Sequence, residues 1–172
     1  MHQSSEDVIV LQLGRMTREG IEQKGFEDTL TAFRVLRDRV LGSLGCMRLM
    51  LVGSGDREPA LRAVVRAYLL DDVVEFLGPM ERSRVLRWIV AAELVVMPSR
   101  YEAHSVFAAE VAALGISMVL SSAGGLETVS AAGIVVNPFD PLDLAKAMRR
   151  GREDHARSIG RSGPRFGNRR RE

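Results

Sequence analysis

Leu94-Val95-Val96-Met97-Pro98-Ser99-Arg100-Tyr101-Glu102, then the apolar run Val106-Phe107-Ala108-Ala109-Glu110-Val111-Ala112-Ala113-Leu114, then Gly115 and Ser117-Met118-Val119-Leu120, is the stretch that decides the fold. Four apolar residues stopped by proline, with no polar alternation, read as a short strand buried on both faces of a parallel sheet. The second run has the length and period of a helix, and Gly115 is its C-terminal stop. A second short strand follows at once. Strand, helix and strand in direct succession form the repeating unit of an α/β protein.

The same unit recurs outward in both directions. Further strands are predicted near Val8 to Leu13, Arg48 to Val52, Val74 to Leu77 and Gly133 to Val136, with helices over Gly25 to Val40, Arg57 to Leu69, Arg82 to Ala92, Leu126 to Ala131 and Pro141 to Arg150. Gly42 is a second glycine stop, and Asp140 before Pro141 is an N-cap with proline at the first helical position. Together these predict one α/β domain, a doubly wound parallel sheet of about six strands, over residues 1–150. From Gly151 onward Gly, Arg, Ser, Pro and Asn dominate, and residues 151–172 read as a frayed helix running into a basic, disordered tail.

Composition narrows the function classes. A 46% apolar fraction in 172 residues suits a single globular core. The 24 Lys and Arg against 22 Asp and Glu leave +2, too little to argue for nucleic acid or a membrane surface. Arginines crowd the last quarter, ending in Arg169-Arg170-Arg171, and this run reads as a solvated tail rather than a nucleic-acid arm. The single cysteine, Cys46, cannot form an internal disulfide, and no cysteine cluster exists to hold a metal. With no apolar run long enough to span a membrane and no export signal in Met-His-Gln-Ser-Ser-Glu-Asp, the expected location is cytoplasmic.

The chemistry starts with two glutamates eight positions apart, Glu102 in a loop and Glu110 in an apolar helix. A carboxylate among Val106, Phe107, Ala108, Ala109 and Val111 needs a hydrogen-bonding partner to offset its desolvation, and a pair of ligand hydroxyls is one such partner. In isolation, an exposed helix residue and a loop residue are the simpler explanation of the pair.

In context, Pro98 to Val119 resembles the Glu-x7-Glu motif of the retaining group 1 (family 4-like) glycosyltransferases of GT-B fold. Further elements match in order. Gly14-Arg15 and Lys24-Gly25 are similar to that family's Gly-Arg and Lys-Gly elements, Val52-Gly53-Ser54-Gly55 to its Val-Gly-x-Gly turn, and Gly124-Gly125-Leu126-Glu127 to its Gly-Gly-Leu-Pro-Glu turn. Val74 to Gly78 corresponds to the strand bordering the base pocket. The resemblance covers Val8 to Arg150 and implies the C-terminal, Rossmann-like, nucleotide-sugar-binding half of a GT-B fold.

The resemblance also assigns roles. Glu102 lies beside the donor sugar and Glu110 holds the ribose hydroxyls. Arg15 and Lys24 neutralise the donor diphosphate, whose charge grows as the glycosidic bond breaks, so fixed cations there favour the transition state. Gly14, Gly53, Gly55, Phe76, His104, Ser105, Gly124, Gly125 and Leu126 complete the candidate donor-binding set, with the Gly124–Gly125 amides suited to phosphate at a helix N-terminus. Taken alone, Arg15 and Lys24 would be solvated surface charges and Gly124–Gly125 an ordinary turn.

The implied reaction is sugar transfer from a nucleoside diphosphate sugar to an unidentified acceptor with retention. It involves no cofactor and no obligatory metal, because basic side chains and helix dipoles replace the cation. The implied partners are the nucleotide sugar and an N-terminal GT-B domain, on another chain or missing from this one. Nucleic acid is not among them.

Departures from the pattern keep a second reading open. Ala103-His104-Ser105 stands where the family has Gly-Phe-Gly, Ser117 stands where proline is usual, and Thr17 to Gln23 is longer than the shortest family loops. The length of the chain accommodates one Rossmann-like unit. A non-catalytic module that binds nucleotide sugar or a partner chain is therefore the alternative. A nicotinamide dehydrogenase is disfavoured, since the turn after the first strand reads Gly14-Arg15-Met16-Thr17 rather than Gly-x-Gly-x-x-Gly.

Overall fold

The computed structural model describes residues 8–39, 47–103, 105–137 and 139–162. Six strands, β1 (Val8–Leu13), β2 (Met47–Val52), β3 (Val74–Gly78), β4 (Leu94–Met97), β5 (Ser117–Ser121) and β6 (Gly133–Val136), form one parallel sheet in the order β3-β2-β1-β4-β5-β6. This is the doubly wound α/β arrangement read from the sequence. The chain moves outward from β1 through β2 to β3, then returns across the sheet to build β4, β5 and β6 on the other side of β1. Connections leaving β1 and β4 therefore diverge and open a crevice at the carboxyl edge, the usual ligand position in such sheets.

The strands alternate in which helical layer they serve, not in polarity, because both faces are covered. Val10, Leu49, Leu51, Val96, Val119 and Val136 face one layer. That layer is made of α2 (Phe26–Arg39), α3 (Glu58–Ala67) and α6 (Pro141–Ser162), which contribute Phe26, Leu30, Phe33, Leu61, Val65, Leu144 and Met148. Ile9, Leu11, Met50, Val52, Val95, Met97 and Leu120 face the other layer. There α4 (Arg82–Ala91), α5 (Val106–Ala113) and a 3₁₀ helix (Gly124–Ala132) supply Ile89, Ala108, Val111 and Leu126.

Two elements differ from the sequence reading. Thr17 to Gln23, read as a long loop, mostly forms a short helix, α1 (Arg18–Lys24). Thr17 is its N-cap, accepting from the Gly20 N–H at 3.2 Å, and Gly25 closes it in the left-handed region at φ 64°. The second difference is at the carboxyl end, where α6 does not stop near Arg150 but runs to Ser162, through the stretch read as a frayed helix.

Gly151 is a packing residue rather than a stop. It is buried against β4, and a Cβ there would lie 2.9 Å from Leu94 Cδ1. The i,i+4 pairs Arg149–Glu153 at 3.9 Å and Arg150–Asp154 at 3.8 Å carry the helix past the glycine. Its start follows the predicted cap, with Leu142 and Asp143 N–H donating to Asp140 Oδ1 at 2.9 and 3.0 Å. The predicted Leu126 to Ala131 helix is present as the 3₁₀ segment. Gly42, Cys46, His104 and residues 163–172 lie outside the described residues. No helix among the described residues is long and apolar enough to cross a membrane.

Candidate functional site at the carboxyl edge

A cleft of about 520 Å³ opens over the ends of β1, β2 and β4. Its floor is made by three turns that interlock through the backbone. Gly14 N–H donates to Val52 O at 3.0 Å, Gly53 N–H to Gly78 O at 3.0 Å, Met16 N–H to Ser54 O at 2.9 Å and Arg57 N–H to Met16 O at 2.9 Å. The glycines of the Val-Gly-x-Gly turn serve this interlock. A Cβ on Gly53 (φ 137°) would sit 1.9 Å from Gly14 O, and one on Gly55 2.3 Å from the Met16 carbonyl. The close approach they permit is that of the chain's own first turn.

Lys24 and Glu102 face each other in this cleft, Nζ 2.6 Å from Oε2, with side-chain exposures of 27% and 11%. Such shelter makes the contact stronger than a surface ion pair, because water screens it less. Three features set Lys24. Its stem crosses Gly14, where a Cβ would lie 2.9 Å from Lys24 Cγ; its carbonyl accepts from Gln12 Nε2 at 2.9 Å; and Gly25 ends the helix directly after it. Arg15 lies exposed on the rim of the same cleft, and among the described residues it has no carboxylate in ion-pair range.

Ser105 also lines the cleft and is the N-cap of α5, its Oγ accepting from Ala108 N–H at 3.1 Å. Serine at this family glycine position thus has a local reason: it starts the helix that carries Glu110. Glu110 itself does not line the cleft. It is partly buried on α5 and paired with Arg82 at the start of α4, whose side chain is 72% exposed.

The remaining predicted residues are placed elsewhere. Phe76 packs into the α2–α3 layer under Arg62, whose guanidinium carbon lies 4.2 Å from the ring centroid. Leu126 is core on the opposite layer. The sequence reading offers the Gly124–Gly125 amides to phosphate, but the Gly125 N–H donates to Glu102 O at 2.6 Å. A Cβ on Gly125 would meet that oxygen at 2.4 Å, so this turn buttresses the Glu102 loop. The physical reason is that the 3₁₀ segment starts against residues 102 and 103 rather than against the cleft.

The sequence reading missed several cleft residues. Gln12 is 1% exposed, a polar side chain in a strand with no solvent face, and that anomaly was its signal. Pro79, Met80 and Val85, after β3, form an apolar wall. Their signal was weak, a Gly78-Pro79 turn at the carboxyl end of a strand. As a whole, the cleft offers two cations, one sheltered carboxylate and an apolar flank, a combination matched to a ligand with an anionic centre between polar and flat apolar parts.

Comparisons with known proteins bear on the family and the fold. A D-inositol 3-phosphate glycosyltransferase of Nocardioides sp. is 40% identical over 87 residues, covering 49% of this chain and 19% of that protein. A glycogen synthase of Mycobacterium tuberculosis is 31% identical over 150 residues, covering 86% of this chain and 34% of that protein. The chain therefore spans about a fifth to a third of the length of these two curated relatives.

Among solved structures, sucrose-phosphate synthase from Thermosynechococcus elongatus superposes with a TM-score of 0.74 at 29% identity, covering 89% of this chain and 38% of that one. Anabaena HepE, solved in complex with UDP-glucose, shares the fold with a TM-score of 0.75 at 20% identity, covering 88% of this chain and 41% of that one. The six-stranded sheet is thus the Rossmann-like unit of a GT-B glycosyltransferase. The sequence profile described as "Glycosyl transferases group 1" matches residues 7–154, and the chain belongs to that family.

Proposed function

We propose that this chain is the donor-binding half of a retaining glycosyltransferase, holding a nucleoside diphosphate sugar while the sugar passes to an acceptor presented by a second GT-B domain. The observation that carries the reading is the sheltered Lys24–Glu102 pair beside Arg15 at the topological switch point. In the transfer, the bond from the anomeric carbon to the diphosphate breaks and its electrons leave with the diphosphate, which gains charge, while a bond to the acceptor oxygen forms and the acceptor hydroxyl's proton passes to the departing diphosphate. In this reading Lys24 and Arg15 meet that charge, Glu102 accepts from sugar hydroxyls, and Pro79, Met80 and Val85 flank the base. Fixed cations of this kind need no metal to do so. Removal of one such group from a preorganised site costs roughly 100- to 1,000-fold in turnover.

HepE and sucrose-phosphate synthase support the reading by fold, and the former by the UDP-glucose in its complex. The test is calorimetric titration of the purified chain with UDP, GDP and ADP and their glucose conjugates, followed by a transfer assay with and without an added N-terminal GT-B domain. Binding of none of these ligands would refute donor recognition.

One observation favours a second reading, a module that binds nucleotide sugar without transferring it. Glu110 is held by Arg82 away from the cleft, and Ala103 and Ser105 occupy positions where the family has glycine. Binding without turnover, even with the second domain supplied, selects that reading.

A further inference from the structure

Lys24 and Glu102 leave the sheet on different connections, one after β1 and one after β4, so their contact requires those connections to be held in register. Arg100 bridges them twice over. Its backbone N–H donates to Gln23 O at 2.8 Å, a bond that any side chain at this position keeps, and its guanidinium adds the charged contacts, with Nη2 3.2 Å from Asp28 Oδ2 and Nη1 3.6 Å from Glu22 Oε1. Gln23 Nε2 returns a bond to Tyr101 O at 3.2 Å. Gly25 lets the strand end come close, since a Cβ there would sit 2.5 Å from Pro98 O.

The guanidinium is anchored on a third element as well, 5.2 Å from the Phe139 ring centroid before α6. Arg100 is 32% exposed and Asp28 14%, so their attraction is only partly screened. Arg100 does not line the donor cleft. Together with Glu22 and Asp28 it lines a separate cavity of about 530 Å³.

We propose that Arg100 is a positioning residue for the donor site: by tying α1 and the first turn of α2 to the β4–α5 loop, it sets the Lys24–Glu102 distance without touching the ligand. The inference rests on the donor-site reading of Lys24 and Glu102, but the coupling it asserts is a property of the chain alone. Guanidinium geometry matters here, because a planar fork reaches Glu22 and Asp28 together whereas an ammonium is a single point charge. The neighbouring residues Gln23 and Tyr101 exchange only backbone and amide contacts, so the charged hold between the two connections runs through Arg100 and the Lys24–Glu102 pair.

The test is a double-mutant cycle on the 172-residue chain, with unfolding followed for wild type, Arg100→Gln, Lys24→Met and the double variant. Positioning requires that Lys24→Met shift the unfolding equilibrium at least about threefold less in the Arg100→Gln background, because the contact is already loosened there. Additive effects overturn the proposal. Asp28→Asn is expected to reproduce Arg100→Gln and serves as the cycle partner if Arg100→Gln does not fold, while Arg100→Lys recovers part of the coupling. In ligand titrations, Arg100→Gln is expected to weaken UDP binding about tenfold while uridine changes by less than about twofold. Equal losses for the two ligands overturn the positioning role. A wild type that binds no nucleotide refutes the donor reading instead, and the cycle still decides the coupling.

Discussion

Lys24 Nζ and Glu102 Oε2, 78 positions apart in the chain, meet at 2.6 Å across the switch point between β1 and β4. On the proposed donor-binding reading, a diphosphate would meet a cation already held in place by its counter-charge, with little side-chain entropy left to lose on binding. Lys24→Met is expected to weaken nucleoside diphosphate binding by roughly 10- to 100-fold, the range of a charge-assisted hydrogen bond. The parent nucleoside should bind as before. Isothermal titration with both ligands checks this, and equal losses would move Lys24 away from the phosphates.

Glu110 gives the complementary test. Its Arg82 partner is 72% exposed, so breaking that pair costs little stability. If the carboxylate turns to ribose hydroxyls when nucleotide binds, Glu110→Ala weakens nucleoside and nucleotide alike by about tenfold, the worth of one such bond. An unchanged dissociation constant for uridine and UDP rules out the ribose role.

Gly53→Ala forces a Cβ into the backbone of the first turn at φ 137°, where the nearest atom is Gly14 O at 1.9 Å. A loss of roughly 2–3 kcal/mol is expected from strain at a left-handed position with no room to relax. For a chain of this size that lowers Tm by about 5–10 °C. Thermal unfolding by circular dichroism measures it, and a change below about 1 °C would show that the turn is plastic.

Leu69 is the opposite case. It is a non-glycine residue at φ 55°, 73% exposed, in the turn between α3 and β3. Leu69→Gly relieves about 1–2 kcal/mol of left-handed strain and gives back part of it as chain entropy, so a net gain near 0.5 kcal/mol is expected. A lower Tm for this variant would mean that the exposed leucine has a partner.

Below this turn, Arg37 pairs with Asp72 at 2.6 Å and holds the Asp72 carboxyl below its ordinary value of 3.8, chiefly by hydrogen bonding. A depressed folded-state value stabilises the fold above the unfolded value and loses that contribution as pH falls through the folded one. The window therefore lies at and below about pH 4. Both side chains are well exposed, so solvent limits the effect to a few tenths of a kcal/mol. Arg37→Gln should therefore lower stability by that amount at pH 7, flatten the profile in the window and match the wild type at its acid end, which urea unfolding at a series of pH values measures.

Much of this protein was legible in the chain itself. The strands were, because residues such as Leu94-Val95-Val96-Met97 have no polar position to offer solvent, and a strand so composed has only the interior of a parallel sheet to occupy. Arg15, Lys24, Glu102 and Ser105 were legible as motif residues, and they line one cleft. Tertiary structure alone decided the rest. Gln12 under Lys24, Gly151 against Leu94, Gly125 against Glu102 and Arg100 between two connections are contacts between segments far apart in sequence. Local propensity carries no information about which distant segment will arrive. That is settled only when the two halves of the sheet wind away from β1 in opposite directions and bring their loops to one edge.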